Sequence, residues 1–296
     1  MQVAIIDIGS NTARLLVADV QPDGTVLELA QEGVHLALGE ELARGKALAP
    51  EKIEEVATTA RRFADAARHH DVDRVEVIIT APGRGPSGPQ LTTAVREATG
   101  WPARVLTADD EGRLAYDGAV ARAENLPEVV AVVDVGGGSS EIVVGTPLLG
   151  GAWVRSLTTG SLHLTRLFLH TDPPTAGERR KARDAVRRAL EGVEPPRPDA
   201  ALAAGGSARA VAKVIGRVFG PDDLEEVVRI AARRPRRDIA RTFGIKPARA
   251  ETLVAGAIVL AETARLFERP FELAGGGLRE GAALMLAAAA DETVAA

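Results

Sequence analysis

The chain has no cysteine, one tyrosine, two tryptophans and only five lysines among its 36 basic residues. Without cysteine there is no disulfide framework, no thiol nucleophile and no thiolate zinc site. Aromatics at 3% leave little surface on which bases could stack, and a net charge of -5 argues against general nucleic-acid affinity. No apolar run reaches bilayer-spanning length. The chain opens on the strand pattern Met1-Gln2-Val3 with no basic segment and apolar stretch ahead of it, so a soluble cytoplasmic protein without a membrane partner is expected. The five histidines, His35, His69, His70, His163 and His170, lack the paired spacing of a metal motif. Missing too are a Gly-Lys-Ser/Thr phosphate loop and a Gly-x-Gly-x-x-Gly dinucleotide turn.

What the chain does have is a duplication. Val3-Ala4-Ile5-Ile6-Asp7-Ile8-Gly9-Ser10-Asn11 returns without a gap as Val130-Ala131-Val132-Val133-Asp134-Val135-Gly136-Gly137-Gly138, followed by Ser139, at a constant offset of 127 residues. In each copy an apolar β run meets an Asp, then small residues whose backbone N–H groups can approach an anion, then a second β run. With 46% hydrophobic residues in a 296-residue chain there is ample core for two domains. We place them at 1–123 and 124–296, the last helix being free to pack back on the first lobe, and expect a phosphate clamp between the lobes.

Along the first half, Pro50 starts an amphipathic helix that closes near His69-His70, and Val75–Ile79 reads as a strand. It leads into a glycine- and proline-rich loop, Thr80–Pro89, and helices are expected near 91–99 and 110–123. The second half repeats the plan. Hairpins run from Val129 to Ser156, a helix covers about 177–191, and a strand at 200–203 enters Gly205-Gly206-Ser207. Ser207 would cap a helix over 208–219 and could meet an anion there; an ordinary capped helix is the alternative. Helices are expected over 224–233, 237–243 and 247–267, then a strand at 271–273 before the turn Gly275-Gly276-Gly277.

Asp7, Asp134 and Glu141 are carboxylates suited to Mg²⁺ or Mn²⁺, directly or through water, although an Asp can also simply cap its own turn. Ser10, Asn11, Thr12 and Ser139 add donors beside Gly9, Gly136, Gly137 and Gly138, and Arg14 either touches phosphate or pairs with a neighbouring acid. Glu111 sits with Asp109 and Asp110 at a helix start, where plain dipole matching is the competing explanation. The run Arg233-Arg234-Pro235-Arg236-Arg237, with Arg229 and Arg241, is either a solvated face or a guide for polyanions.

The paired turns and the later Gly-Gly-Ser turn resemble the duplicated α/β fold of actin, sugar kinases and Hsp70, a ribonuclease H-like architecture with two lobes and an interdomain cleft. Within it, Asp7-Ile8-Gly9-Ser10-Asn11-Thr12-Ala13-Arg14-Leu15 and Asp134-Val135-Gly136-Gly137-Gly138-Ser139-Ser140-Glu141 look like the two phosphate motifs of the exopolyphosphatase and guanosine pentaphosphate phosphohydrolase family. Leu38-Gly39-Glu40, Glu111-Gly112-Arg113-Leu114-Ala115-Tyr116 and Gly277-Leu278-Arg279-Glu280-Gly281 follow in the family's order. The resemblance implies release of terminal phosphate from inorganic polyphosphate, or of the 5′ γ-phosphate from guanosine pentaphosphate, with a divalent cation and an attacking water.

On that basis Glu111 would be the catalytic base and Glu141 a second acid or a metal ligand, while Arg14, Arg84 and Arg279 would neutralise phosphate charge. The chain departs from the family's pattern in places. Thr80–Gly88 keeps the Thr and Arg but loses an Asn, Ala37 stands where an Arg is common, and the helical domain appended in longer relatives is not there, which favours short polyphosphate. A kinase and a non-catalytic polyphosphate or nucleotide sensor are the rivals, and a homodimer is expected on general grounds.

Overall fold

The structure is a computed structural model that describes residues 1–38 and 45–295; Gly39 and Glu40 of the Leu38-Gly39-Glu40 signature lie outside the described residues. The chain begins with β1 (Gln2–Ile8), β2 (Thr12–Val20), β3 (Val26–His35), α1 (Pro50–His69) and β4 (Arg74–Ile79). A 3-10 turn (Ala81–Arg84), α2 (Gly88–Thr99), β5 (Ala103–Val105) and α3 (Ala108–Val120) follow. Next come β6 (Val130–Val135), β7 (Ser140–Thr146), β8 (Gly150–Leu157), α4 (Ser161–Phe168), α5 (Ala176–Leu190), β9 (Ala200–Ala204) and α6 (Gly205–Ile215). The remainder is β10 (Val218–Phe219), α7 (Pro221–Ala231), α8 (Arg236–Phe243), α9 (Pro247–Glu251), α10 (Leu253–Phe267), β11 (Phe271–Leu273) and α11 (Leu278–Ala295).

Two compact units result, one from Met1–Arg122 with Gly276–Ala296 and the other from Ala123–Gly275. The segment from Gly276 onward therefore groups with the first unit, not with the second half of the chain. No helix among the described residues is long and apolar enough to cross a membrane.

The first unit is a mixed five-stranded sheet in the order β3-β2-β1-β4-β5, with β1–β3 antiparallel and β4 and β5 parallel to β1. Alternation along β1 sends Ala4, Ile6 and Ile8 to one face, where Val56, Phe63 and Ala67 of α1 and Leu91 and Val95 of α2 cover them. Val3 and Ile5 point to the other face, against Leu114 of α3 and Ala282 and Ala283 of α11. The pleat puts Asp7 on this second face, the one covered by the helices that carry Glu111 and Arg279.

Glycines let those two helices touch at backbone distance. A Cβ on Gly281 would overlap the carbonyl oxygen of Leu114, and one on Gly118 would overlap that of Gly277. The terminal glycine signature thus includes a packing device in which α11 seats α3.

The second unit repeats the hairpin-first plan in a six-stranded sheet, order β10-β11-β9-β6-β7-β8. Its core gathers Val133, Val135 and Ile142 with Val186 of α5 and Val259 and Phe267 of α10. An ion network ties three helices together: Arg183 of α5 bonds Glu225 of α7 and Glu262 of α10, and Arg187 and Arg265 also reach the nearly buried Glu262.

Local details differ from the sequence reading. The 80–89 segment is not wholly irregular, because Pro82 opens a 3-10 turn and Pro89 falls in the first turn of α2, both positions that tolerate a missing N–H. The helix expected over 247–267 breaks at Thr252 into α9 and α10, and α4 had no counterpart in the periodicity reading. Ser207 caps nothing. Helix α6 starts earlier, at Gly205, and the Ser207 hydroxyl donates to the Val135 carbonyl at 3.0 Å, joining the helix to the second turn.

Candidate functional site

In the first unit the carboxyl ends of the parallel strands define the site, as is usual for open α/β sheets. Ile8 pairs with Ile79 and Ile79 with Val105, which aligns the ends of β1, β4 and β5. The turn Gly9-Ser10-Asn11, the segment Thr80–Arg84 and the start of α3 therefore emerge side by side. Gly9 N–H bonds the Thr12 carbonyl at 3.1 Å, and Thr80 N–H bonds Ile8 at 3.1 Å.

Ser10 and Asn11 are 4% and 3% exposed, yet Ser10 Oγ and both polar atoms of the Asn11 side chain have no hydrogen-bond partner among the described residues. Buried polar atoms without partners are costly, so donors left open in one turn mark a place that accepts an anion. Asp7 and Arg14 are register partners on β1 and β2, side chains on the same face.

Glu111 is held at the first turn of α3, behind Thr107, whose Oγ1 caps the helix by accepting from Asp110 N–H. Arg84 Nη1 donates to Glu111 Oε2 at 2.8 Å and to the Leu106 carbonyl at 2.9 Å, with the two side chains 26% and 12% exposed. The Arg84–Glu111 ion pair was not anticipated from sequence, which had placed the two residues in separate roles. Arg279, from α11, is 7% exposed and its Nη1 has no partner among the described residues. Tyr116 of α3 is also buried with an unpartnered hydroxyl, and burial, then Asp117, push its pKa up to about 12.

The second unit builds the matching turn with more glycine. Gly136 N–H bonds the Ser139 carbonyl at 3.0 Å, the same closure as in the first copy. The carbonyls of Gly136, Gly137 and Gly138 are all occupied by N–H groups of Gly160, Ser161, Leu162 and His163 at 2.9–3.2 Å. Gly160 packs so closely on Gly137 and Gly138 that a Cβ there would overlap them. With its carbonyls engaged by the start of α4, the turn keeps the N–H groups of Gly137, Gly138 and Ser139 without acceptors among the described residues. Successive unengaged N–H groups of this kind are an anion-binding nest.

Beside the nest, Thr159 is 7% exposed and its Oγ1 has no partner among the described residues. No motif singled it out; a polar residue just before the Gly160 contact was the only trace. Burial holds the His163 imidazole below its ordinary pKa, while the His163 backbone N–H donates to the Gly137 carbonyl.

Asp134 and Glu141 are opposite one another across β6 and β7 and share a face, and Glu141 is 1% exposed, accepting from Ser156 Oγ at 2.9 Å. Gly205, at φ +82°, lies so close that a Cβ would overlap Asp134 Oδ1. Arg249 lies against Gly206; desolvation first, and Arg209 second, lower its pKa, while Asp134 opposes them. Half-buried Asp134 and buried Glu141 stand in register, with Arg249 the cationic side chain near Asp134. Among the described residues no three acids or histidines are grouped as a ready-made metal cage. A Mg²⁺ that keeps several waters needs only one or two carboxylates, so Asp134 and Glu141 fit it.

The sequence pattern of the Ppx/GppA phosphatase family matches residues 16–289. The chain belongs to the Ppx/GppA phosphatase family. It is 32% identical over 290 residues to Exopolyphosphatase 2 of Mycobacterium tuberculosis, covering 89% of this chain and 90% of that protein. To Exopolyphosphatase 1 of Mycobacterium bovis it is 27% identical, covering 95% and 87%. A crystal structure of the Aquifex aeolicus Ppx/GppA family member superposes with a TM-score of 0.81 at 27% identity over 97% of each chain. The actin-like α/β fold is that of this Ppx/GppA family.

Proposed function

We propose that this Ppx/GppA phosphatase is an exopolyphosphatase-type hydrolase that releases terminal orthophosphate from short-chain inorganic polyphosphate by attack of water. The observation that carries the reading is the pair of turns closed by the same backbone hydrogen bond, each leaving hydrogen-bond donors open. The names of the mycobacterial relatives support the substrate class.

In the proposed reaction the Gly137, Gly138 and Ser139 amides hold one phosphate group, and Ser10 and Asn11 hold another. Glu111 accepts the proton of the attacking water, and Arg84 fixes the direction of that carboxylate. Arg14 and Arg279 offset phosphate charge. In the second unit Asp134 and Glu141 would hold Mg²⁺ or Mn²⁺, which when bound supplies charge neutralisation on phosphate oxygens; in the first, Asp7 is a candidate ligand.

A phosphate-release panel over tripolyphosphate, long polyphosphate, guanosine pentaphosphate and ATP tests the assignment; release from guanosine pentaphosphate alone would move the activity to the other named branch of the resemblance. Glu111→Gln is expected to lower turnover on tripolyphosphate by about 10²–10⁴-fold with binding retained, as for loss of a general base. Undiminished turnover in that variant removes Glu111 from the mechanism.

A further inference from the structure

The arginines of the 229–241 stretch are unused by the proposed reaction. In the second unit, α7 ends at Ala231 and α8 begins at Arg236 with Pro235 as its N-cap. Val228, Ala231 and Ile239 are buried on either side of the bend, and the Pro235 carbonyl accepts from Asp238 and Ile239 N–H. The bend is therefore a fixed platform. Arg233 and Arg234 stand exposed on it and make no ion pair among the described residues.

Arg237 and Arg241, spaced i,i+4 on one face of α8, are 86% and 83% exposed and share a single acid, Asp238, at 3.9 and 3.4 Å. Four guanidinium groups thus face solvent against one carboxylate. In the α5–α7–α10 network, by contrast, the arginines are engaged by Glu225 and Glu262. Arg236 connects the platform inward: it reaches Glu251 of α9, the short helix whose Arg249 lies beside Asp134.

We propose that Arg233, Arg234, Arg237 and Arg241 form a second, non-catalytic binding site for a linear inorganic polyanion, the distal part of a polyphosphate chain. Arg237 and Arg241 meet at Asp238 Oδ1, and Arg233 and Arg234 stand on the adjoining bend, an extended array that suits a string of phosphates better than a single one. No aromatic residue occurs between Arg229 and Arg241, so nucleic-acid bases find no stacking platform, and the chain's net charge of -5 adds no general attraction. The inference rests on the hydrolase reading only for the identity of the polyanion. Its consequence is for binding and not for which chain is turned over fastest: a long chain is held by this anchor as well, whereas tripolyphosphate is held at the turns alone.

The test uses the full chain carrying Glu111→Gln, so that binding is read without turnover, titrated calorimetrically with long-chain polyphosphate, tripolyphosphate and a single-stranded oligonucleotide. Adding Arg233→Gln, Arg234→Gln, Arg237→Gln and Arg241→Gln together is expected to weaken long-chain binding about tenfold or more at low salt and to flatten its salt dependence, because fewer counterions are exchanged. Tripolyphosphate affinity should be unchanged. Unaltered long-chain affinity overturns the proposal, as does an equal loss for tripolyphosphate, or an oligonucleotide that binds through the same arginines as tightly as polyphosphate. If the fourfold variant does not fold, Arg237→Gln with Arg241→Gln on the exposed face of α8 gives the same readout with a smaller loss. Arginine-dependent long-chain binding without hydrolysis in the unsubstituted chain would leave this site standing and defeat the hydrolase reading instead.

Discussion

The two glycine turns share a backbone and differ in what stands across from their aspartate. Asp7 faces Arg14 on the neighbouring strand, whereas Asp134, at the equivalent position, faces Glu141. Arg14 and Glu141 are themselves equivalent at the 127-residue offset, so one substitution of charge type divides the labour of a duplicated hairpin. On the proposed function, Arg14 would meet phosphate at the first turn. On the same proposal, Asp134 and Glu141, with Arg249 near Asp134, would hold the metal at the second. The cross-strand residue is the point at which the two copies differ in charge.

The sharpest break in this comparison is to neutralise each cross-strand residue. Glu141→Gln retains the shape that accepts from Ser156 but removes one acid, and is expected to lower kcat about 100-fold and to raise the Mg²⁺ concentration needed for half-maximal phosphate release. Arg14→Gln should instead raise KM with the Mg²⁺ requirement unchanged. Equal metal dependence in the two variants would refute the division.

A second break is steric. Gly160→Ala drives a methyl group into Gly137 and Gly138 and should cost about 1–3 kcal/mol in thermal unfolding while weakening phosphate binding at the second turn.

A smaller and more informative change is Thr159→Val, which keeps the shape and deletes an unpartnered hydroxyl. Stability should hold or rise by about 1 kcal/mol, and KM for tripolyphosphate should rise a few-fold. A variant that is more stable and equally active excludes Thr159 from binding.

The mildest effect is on pH. Burial lowers the folded-state pKa of His163, so on acidification the unfolded chain takes the proton first. The contribution is fully present above about 6.5, the ordinary histidine value, and is lost as pH falls toward the folded pKa. His163→Asn should flatten that part of the melting-temperature profile, and an unchanged profile would show that other groups set it.

Much of this was legible in the chain before any coordinates. Asp7, Gly9, Asp134 and Gly136 announced themselves by repetition, and strands such as β1 and β6 were plain from apolar runs bounded by glycine. What stayed hidden was tertiary. The pairing of Arg84 with Glu111 depends on β4 and β5 ending side by side, which no spacing of residues 84 and 111 encodes. Thr159 gains meaning only because Gly160 lies on Gly137. Ser207 misled because a serine after two glycines reads as a helix cap; Gly205 takes φ +82° at the Asp134 side chain and starts the helix earlier, freeing Ser207 to bond Val135.

The return of α11 to the first unit also sets an order of events at the ribosome. Residues 123–275 are contiguous and have all their core partners once they emerge, but Leu114 and Gly118 of α3 must wait for Gly276 onward, synthesised after that whole unit, before they are covered. A nascent chain stalled short of Gly276 would hold every residue of the second unit while the first still lacked α11.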